Sequence, residues 1–480
     1  MLYNNDFLDS LDMTFKNYFE RSDAVRQSTF QDFATFYFND YLGICDILKR
    51  DTLDNPFTAE TLRTLQFQHI NIITKVLNRL CSGIYTTPPA RYLEIPDEKK
   101  YNIENEKFKK LLDELKYNAK VKESFRRAKY FNTVYVMPVY DVKTKKMRID
   151  IYNPNDFKVK TQDDYNEIKS IAIRKSDPNG MIYYSIWTET EHFKLSGGKK
   201  EAFENNPKMK NPFSPEIPGS VLRMKEGIDF YGEPNWNLFL NQKYFDIRLT
   251  DFDKTELNTI WQTWIGLNTN FKKDETFRPN EIKQINGITN EDFPPSLQAI
   301  SANIDYTAIK ENIDWKLKTA MNSEGLSSNT INTEVIEVSG ISKLIDELEL
   351  QEQREEDKDT LKYFEISLMN DIRQVYNYYS EDKIDETSKI CIEFSNEKQY
   401  EPVNDKKTRR EMEVTYGYNN SVGFAMEDYD LTEKQAIQKI IDIAKQNELL
   451  ESELLKIKQT DENTESGMSE NEEINPEDSE

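Results

Sequence analysis

The chain has 480 residues and a formal net charge of −23, with 63 Lys and Arg against 86 Asp and Glu. That length exceeds one typical core, so several domains are expected, and the acidic balance argues against a protein that grips nucleic acid through a broad basic face. Cys45, Cys81 and Cys391 are odd in number and far apart, which argues against a disulfide framework and points to a reducing cytoplasm. No apolar run approaches the roughly 20 residues that span a bilayer, and the start MLYNNDFLDSLDMTFK has no basic region of the kind that opens a secretory signal.

Residues 1–60 are rich in aromatics and Asp, as in STFQDFATFYFNDYLGICDILKR, and are expected to be helical. The segment DNPFTAETLRTLQFQHINIITKVLNRLCSGIY predicts a helix that starts at 58–60, near Pro56, and ends at Gly83. Its apolar face is Leu65, Ile72, Ile73, Val76, Leu77 and Leu80, and His69 on it is expected to be packed or hydrogen-bonded. After YTTPPARYLEIP comes one further helical pattern, KFKKLLDELKYNAKVKESFRRAKYFN, and strands begin at Thr133 with YFNTVYVMPVYD and its partner KKMRIDIYNPNDFKV. Residues 168–195 alternate and carry DPNG, which predicts a β-hairpin, and SGGKKEAFENNPKMKNPFSPEIPG reads as loop.

From Gly232 the pattern becomes helical again, with apolar residues at Trp236, Leu240, Tyr244, Ile247, Phe252, Ile260 and Trp264 near one helical face. Such a stripe must bury itself against a neighbour. Residues 267–298 break the period with Pro279, Gly287, Pro294 and Pro295, and NIDYTAIKENIDWKLKTAMNSEG restores it. SEGLSSNTINTEVIEVSG is a flexible loop by its Gly, Ser and Asn content, with TEVIEV as a strand candidate. Residues 341–379 then contain no Gly or Pro and are dense in strong helix formers, predicting one very long helix. The final KQTDENTESGMSENEEINPEDSE has almost no apolar residues and is expected to be a disordered acidic tail.

Motifs for chemistry are scarce. SGGKKEA at 196–202 lacks the glycine spacing and the Ser/Thr after Lys of a phosphate-binding loop. His69 and His192 are the only histidines, which leaves no supported zinc cluster or Ser-His-Asp triad. The acids Asp163 and Asp164, and Glu355, Glu356 and Asp357, could bind a metal by type, but a solvated face is the commoner reading. No cofactor and no metal are expected, and the chain reads as a non-enzyme. The tryptophans Trp236, Trp261, Trp264 and Trp315 could stack on bases, yet amphipathic helices more often use such residues in packing between helices.

The order helix, strand-and-turn insert, helix, Ser/Asn/Gly loop, very long helix resembles the portal proteins of tailed bacteriophages. The more specific pieces are VSGISKLIDELELQEQREEDKDTLKYFE, the strand pair from YFNTVYVMPVYD, and the late FSNEKQYEPVNDKKTRREMEVTYGYNNSVGFAMEDYDLTEKQAIQKI, and the likeness covers roughly 67–447. It implies an α+β portal fold. An N-terminal helical segment (1–60) and a wing (61–232) precede a descending stem helix (233–266), a clip (267–298) and an ascending stem helix (299–321). A tunnel loop (322–340), the long helix with a wing return (341–400), a crown (401–458) and the tail (459–480) complete it. The resemblance further implies a homo-oligomeric ring, a dodecamer, at the capsid vertex of the virion, assembled in the bacterial cytoplasm. Such a ring conducts double-stranded DNA during packaging and ejection, with no membrane partner. Its protein partners are the terminase large subunit, head-completion, adaptor or tail proteins, and the major capsid and scaffold proteins.

Within that frame Asn322, Ser323, Ser327, Ser328 and Asn329 are expected to face DNA, and Phe271, Lys272, Lys273, Phe277 and Arg278 to form a docking surface on the clip. Trp236, Trp261, Trp264 and Trp315 are expected at stem subunit contacts. The rival readings are a virion structural or minor head protein without a channel, and a nucleic-acid enzyme of unfamiliar type.

Overall fold

The computed structural model describes the chain except residues 1–20, 53–65, 162–163, 165–166, 228, 261–262, 268–295, 301–304, 327–339, 395–402, 430–435, 438 and 446–480. The chain divides into two units, 1–397 and 398–480, and both are built from helix and sheet or helix alone, so the α+β expectation holds at that level. The DNA-facing residues Ser327, Ser328 and Asn329, the whole clip set Phe271, Lys272, Lys273, Phe277 and Arg278, Trp261, the TEVIEV strand candidate and the acidic tail lie outside the described residues.

The first unit opens with α1 (Arg21–Tyr37) and α2 (Tyr41–Thr52), as the aromatic N-terminal stretch led one to expect. The helix predicted from 58–60 is shorter than its pattern. Helix α3 runs Ile72–Ser82 and is capped by Asn71, whose Oδ1 accepts from Thr74 N, while residues 66–71 are not helical. Strand β1 (Ala90–Glu94) follows. The next helical pattern divides into α4 (Glu98–Glu114) and α5 (Tyr117–Phe131), because Lys116 turns to φ 51 between them, a left-handed conformation that no helix continues through.

Strands β2 (Thr133–Asp141) and β3 (Lys146–Tyr152) pair antiparallel from the predicted start at Thr133. Strands β4 (Phe157–Thr161), β5 (Ile168–Ser176), β6 (Ile182–Thr188), β7 (His192–Ser196) and β8 (Lys199–Glu201) form a five-stranded antiparallel sheet in that order. The DPNG hairpin joins β5 to β6, with Asp177 Oδ1 accepting from the Asn179 and Met181 amides. SGGKK, expected as loop, is a second hairpin. Gly197 and Gly198 take φ 54 and 78, the pair of positive values that a two-residue turn demands, and Ser196 pairs with Lys199. Strand β9 (Ser220–Arg223) joins β2 and β3 in a three-stranded sheet ordered β3-β2-β9.

Helix α6 spans Trp236–Ile260, so the descending helix expected over 233–266 stops earlier: Thr263–Leu267 is strand β10, paired antiparallel with β11 (Ser296–Ile300). The ascending helix, expected from 299, is α7 (Tyr306–Asn322), capped by Asp305. The long helix α8 runs Gly340–Tyr379, and its 40 residues span about 60 Å. Its inward positions, Leu350, Leu361, Phe364, Leu368, Ile372 and Val375, are all buried, at the three-and-four spacing of one helical face. They pack against β2, β9 and β12 (Lys389–Glu393), the last of which pairs with β1. Because α5 also packs on β2, Val134 to Met137 are buried on successive sides of the strand, and the main core gathers around Phe125, Phe131, Tyr135, Phe157 and Leu222.

Two buried ion pairs hold α8 to this core. Glu365, fully buried, accepts from Arg91 Nε at 2.6 Å and from the Tyr85 hydroxyl at 2.8 Å. Asp357 meets Lys129 Nζ at 2.7 Å, so of the acids read as a solvated face, Glu355 and Glu356 are exposed and Asp357 is not.

In the second unit, α9 (Val403–Thr415) and α10 (Ser421–Tyr429) are joined by an ion pair, Arg410 to Asp428 at 2.6 Å, and Asn420 caps α10 through the Val422 and Gly423 amides.

Candidate functional site

Helices α6 and α7 form an antiparallel hairpin. At one end the start of α6 meets the end of α7, with Asn235 Nδ2 donating to Glu324 Oε2 at 2.8 Å and Asn237 Nδ2 donating to Ser323 Oγ at 2.6 Å and Glu324 Oε1 at 2.9 Å. Midway, the Lys316 ammonium lies 4.7 Å from the Tyr244 ring centre, and toward the far end Phe252 meets Tyr306 edge-on at 5.9 Å. Strands β10 and β11 then zip the two arms together. Between the helices Leu238, Phe245, Ile313, Leu317 and Met321 line a small apolar cavity closed by Ile72 of α3.

The face that α6 buries follows its apolar pattern only in part: Tyr244, Ile247 and Phe252 are half-buried, while the start of the pattern stays open. Trp236 and Leu240 keep 40% and 52% of their surface exposed, and Trp315 on α7 keeps 60%. The buried face carries Leu238 and Phe239 and, in succession, Gln242, Asp246 and Thr250. These polar residues recur every fourth position on one face, and they join α6 to the chain before α3. Gln242 Oε1 accepts from the Ile72 and Ile73 amides at 2.8 and 3.2 Å, so a side chain from α6 satisfies the first donors of α3, while Gln242 Nε2 donates to Ile70 O and to Asp246 Oδ1. Asp246 Oδ2 lies 2.8 Å from His69 Nδ1, whose Nε2 lies 2.7 Å from Asn39 Oδ1, and Thr250 Oγ1 accepts from Gln68 N at 3.0 Å. Burial raises the Asp246 carboxyl above its usual range, and the bonds from His69 and Gln242 offset part of that rise. His69 is therefore hydrogen-bonded as expected, but from an extended segment rather than from a helix.

A near-isosteric Gln242→Leu replacement leaves the Ile72 and Ile73 amides and the Ile70 carbonyl without partners in a buried place. It is expected to lower unfolding stability by about 1–3 kcal/mol. Chemical denaturation measures this, and a change within experimental error would show that the network adds nothing to packing.

The other expected site residues are placed as follows. Trp236 packs edge-on against Phe33 at 5.1 Å and donates from Nε1 to Glu233 Oε2. Trp264 lies in β10 opposite Ala299. Asn322 and Ser323, expected in a loop facing DNA, belong to the end of α7. The Leu326 amide donates to Met321 O and the Gly325 amide to Asn322 O, with Gly325 at φ 70, and Leu326 and Met321 are both buried, which together make a Schellman stop. The Ser323 hydroxyl bonds the Ala320 carbonyl and Asn237. The SGGKK hairpin gathers Lys200 onto Glu191 at 2.8 Å, leaving that ammonium paired. Among the described residues no group of His, Cys, Asp and Glu could hold a metal ion, and no helix is long and apolar enough to cross a membrane.

The site that emerges is a helical hairpin that leaves Trp236 and Leu240 on α6 and Trp315 on α7 exposed, anchored behind by polar bonds to α3 and joined at its far end by a strand pair. No protein-family model matches the chain, and no curated protein matches its sequence.

Proposed function

We propose that the chain is the subunit of a phage portal ring, a homo-oligomer through which double-stranded DNA passes during packaging and ejection. The observation that carries the reading is the set of exposed large apolar residues Trp236, Leu240 and Trp315 on the α6/α7 hairpin. The sequence pattern calls for burial of large apolar residues, the described residues leave these three exposed, and a second copy of the hairpin beside the first would cover them. Repeated head to tail with a rotation that closes, such a contact makes a ring. A hairpin whose arms are joined at the tip by β10 and β11, followed by a helix of 40 residues, fits the stem, clip and long helix of the portal order. Net charge of −23 fits a conduit, since a surface poor in phosphate contacts lets DNA slide. In this reading the segment 268–295 docks the terminase motor and later the head-completion proteins, and the chain itself supplies no ATP hydrolysis.

Native mass spectrometry and negative-stain microscopy of the purified chain test this. The expected result is a closed ring with a hole wide enough for duplex DNA. Monomers or dimers alone, across a broad range of concentration and salt, or closed particles without a hole, would overturn it.

A further inference from the structure

Helix α8 presents three acids toward the body of the first unit. Asp357 has Lys129 and Glu365 has Arg91, but among the described residues no cation pairs with Asp371. Asp371 keeps some exposed surface as a residue, yet its carboxyl group is shut into the seam between α8 and β9. Its donors there are the Ser220 hydroxyl, 2.5 Å from Oδ2, and the Gly219 amide. Ser220 is itself buried and lies 2.9 Å from the Ser367 hydroxyl one turn earlier on α8. The titratable groups that face Asp371 add no positive charge: Glu216 on the segment leading to β9, Tyr135 on β2 and Tyr117 on α5. Glu216 is held close to α8 by Gln374 Nε2 at 2.6 Å, and the Tyr135 hydroxyl is committed to the Pro218 carbonyl at 2.6 Å.

We propose that Asp371 is a proton-controlled latch between α8 and β9, closed when its carboxyl is neutral and loosened when it ionises. The neutral acid accepts from Ser220 and needs no counterion. The ionised acid is a desolvated charge with a second carboxylate, Glu216, on the same seam. Burial pushes the Asp371 carboxyl up to about 7, Glu216 adds to the rise, and the bonds from Ser220 and Gly219 oppose it. The raised folded-state value fixes the sign. The latch contributes fully below the ordinary aspartate value of 3.8, and its contribution is lost as pH rises through about 7. The latch stands on this seam alone and does not depend on the ring reading.

The test uses the full chain and its Asp371→Asn and Glu216→Gln variants, with thermal unfolding and amide hydrogen exchange from pH 4 to 9. In the parent, protection of the α8 amides around Ser367 to Tyr378, corrected for intrinsic exchange, is expected to fall by up to about tenfold per pH unit between about 4 and 7 and then to level. Asp371→Asn keeps an acceptor for Ser220 without a charge, so it is expected to match the parent near pH 4 and to exceed it in stability above pH 7. Glu216→Gln is expected to leave the onset near pH 4 but to end the fall at a lower pH and with a smaller size, since it makes the ionised latch less costly and so lowers the folded-state value. Equal pH slopes in the parent and Asp371→Asn, or a parent more stable than Asp371→Asn at pH 8, would overturn the latch. If Asp371→Asn does not fold, an α8 protection in the parent that is flat across pH 4 to 7 would overturn it equally.

Discussion

In Leu240→Asp/Trp315→Asp protein, assembly is expected to be lost while each subunit keeps its fold. Both side chains are more than half exposed in the single chain, and exposed substitutions away from caps and networks usually change stability by about 0.5 kcal/mol or less. In an assembly the same positions would be covered, where each large apolar side chain contributes about 1.5–3 kcal/mol and a buried carboxylate without a partner costs several kcal/mol more. Every subunit in a ring uses the contact twice, so the loss is multiplied around the circle. Trp236 is a poorer choice, because its ring also packs on Phe33 and its loss would mix folding with assembly. Native mass spectrometry reads the oligomer and circular dichroism reads the fold. A double variant that still assembles like the parent would remove Leu240 and Trp315 from the subunit contact.

In that assembly-deficient background, Arg91→Leu is expected to destabilise the first unit by about 3–5 kcal/mol. Working there keeps the protomer concentration from contributing to the measured stability. The reason is local: Arg91 and Glu365 are 8% and 0% exposed at their side chains, and the Arg91 guanidinium also lies 4.9 Å from the Tyr117 ring centre. Without it, Glu365 keeps the Tyr85 hydroxyl but becomes a buried charge without its Arg91 counterion. The double variant Arg91→Leu/Glu365→Gln restores neutrality and an acceptor for Tyr85, so most of the loss is expected to return. Denaturant midpoints of the two variants decide the matter: equal losses in the single and double variants would show that packing of Arg91, rather than its charge, is what α8 requires.

How far the sequence shows these features depends on whether the deciding contact is local. Helix α8 is legible because Leu350, Leu361, Phe364, Leu368, Ile372 and Val375 keep helical spacing and no Gly or Pro intervenes. The start of β2 at Thr133 and the Asp177–Gly180 turn are likewise local signals. The start of α3 is not. Residues 66–71 carry helical spacing, but His69 and Gln68 bond Asp246 and Thr250, and the Ile70 carbonyl accepts from Gln242, all on a helix far along the chain. No pattern within a few residues reports such a tie. On α6 the apolar stripe was plain to see, but a stripe says only that something covers it, not whether that is the same chain. The polar ladder Gln242, Asp246 and Thr250 was the available sign that part of the inward face lay elsewhere. At 196–201 the composition suggested loop because Gly-Gly reads as a breaker, whereas at this spacing it is the turn itself.

The strand pair beyond α6 and α7 holds together the two ends of the segment 268–295. Leu267 and Ser296 are direct partners in the register, as are Thr263 and Ile300, so whatever chain lies between begins and ends at adjoining points. Closing such an insert costs only about 0.6 kcal/mol more for each doubling of its length. Lengthening or shortening 268–295 therefore changes the closure entropy little, because the β10/β11 pair fixes where the segment starts and stops.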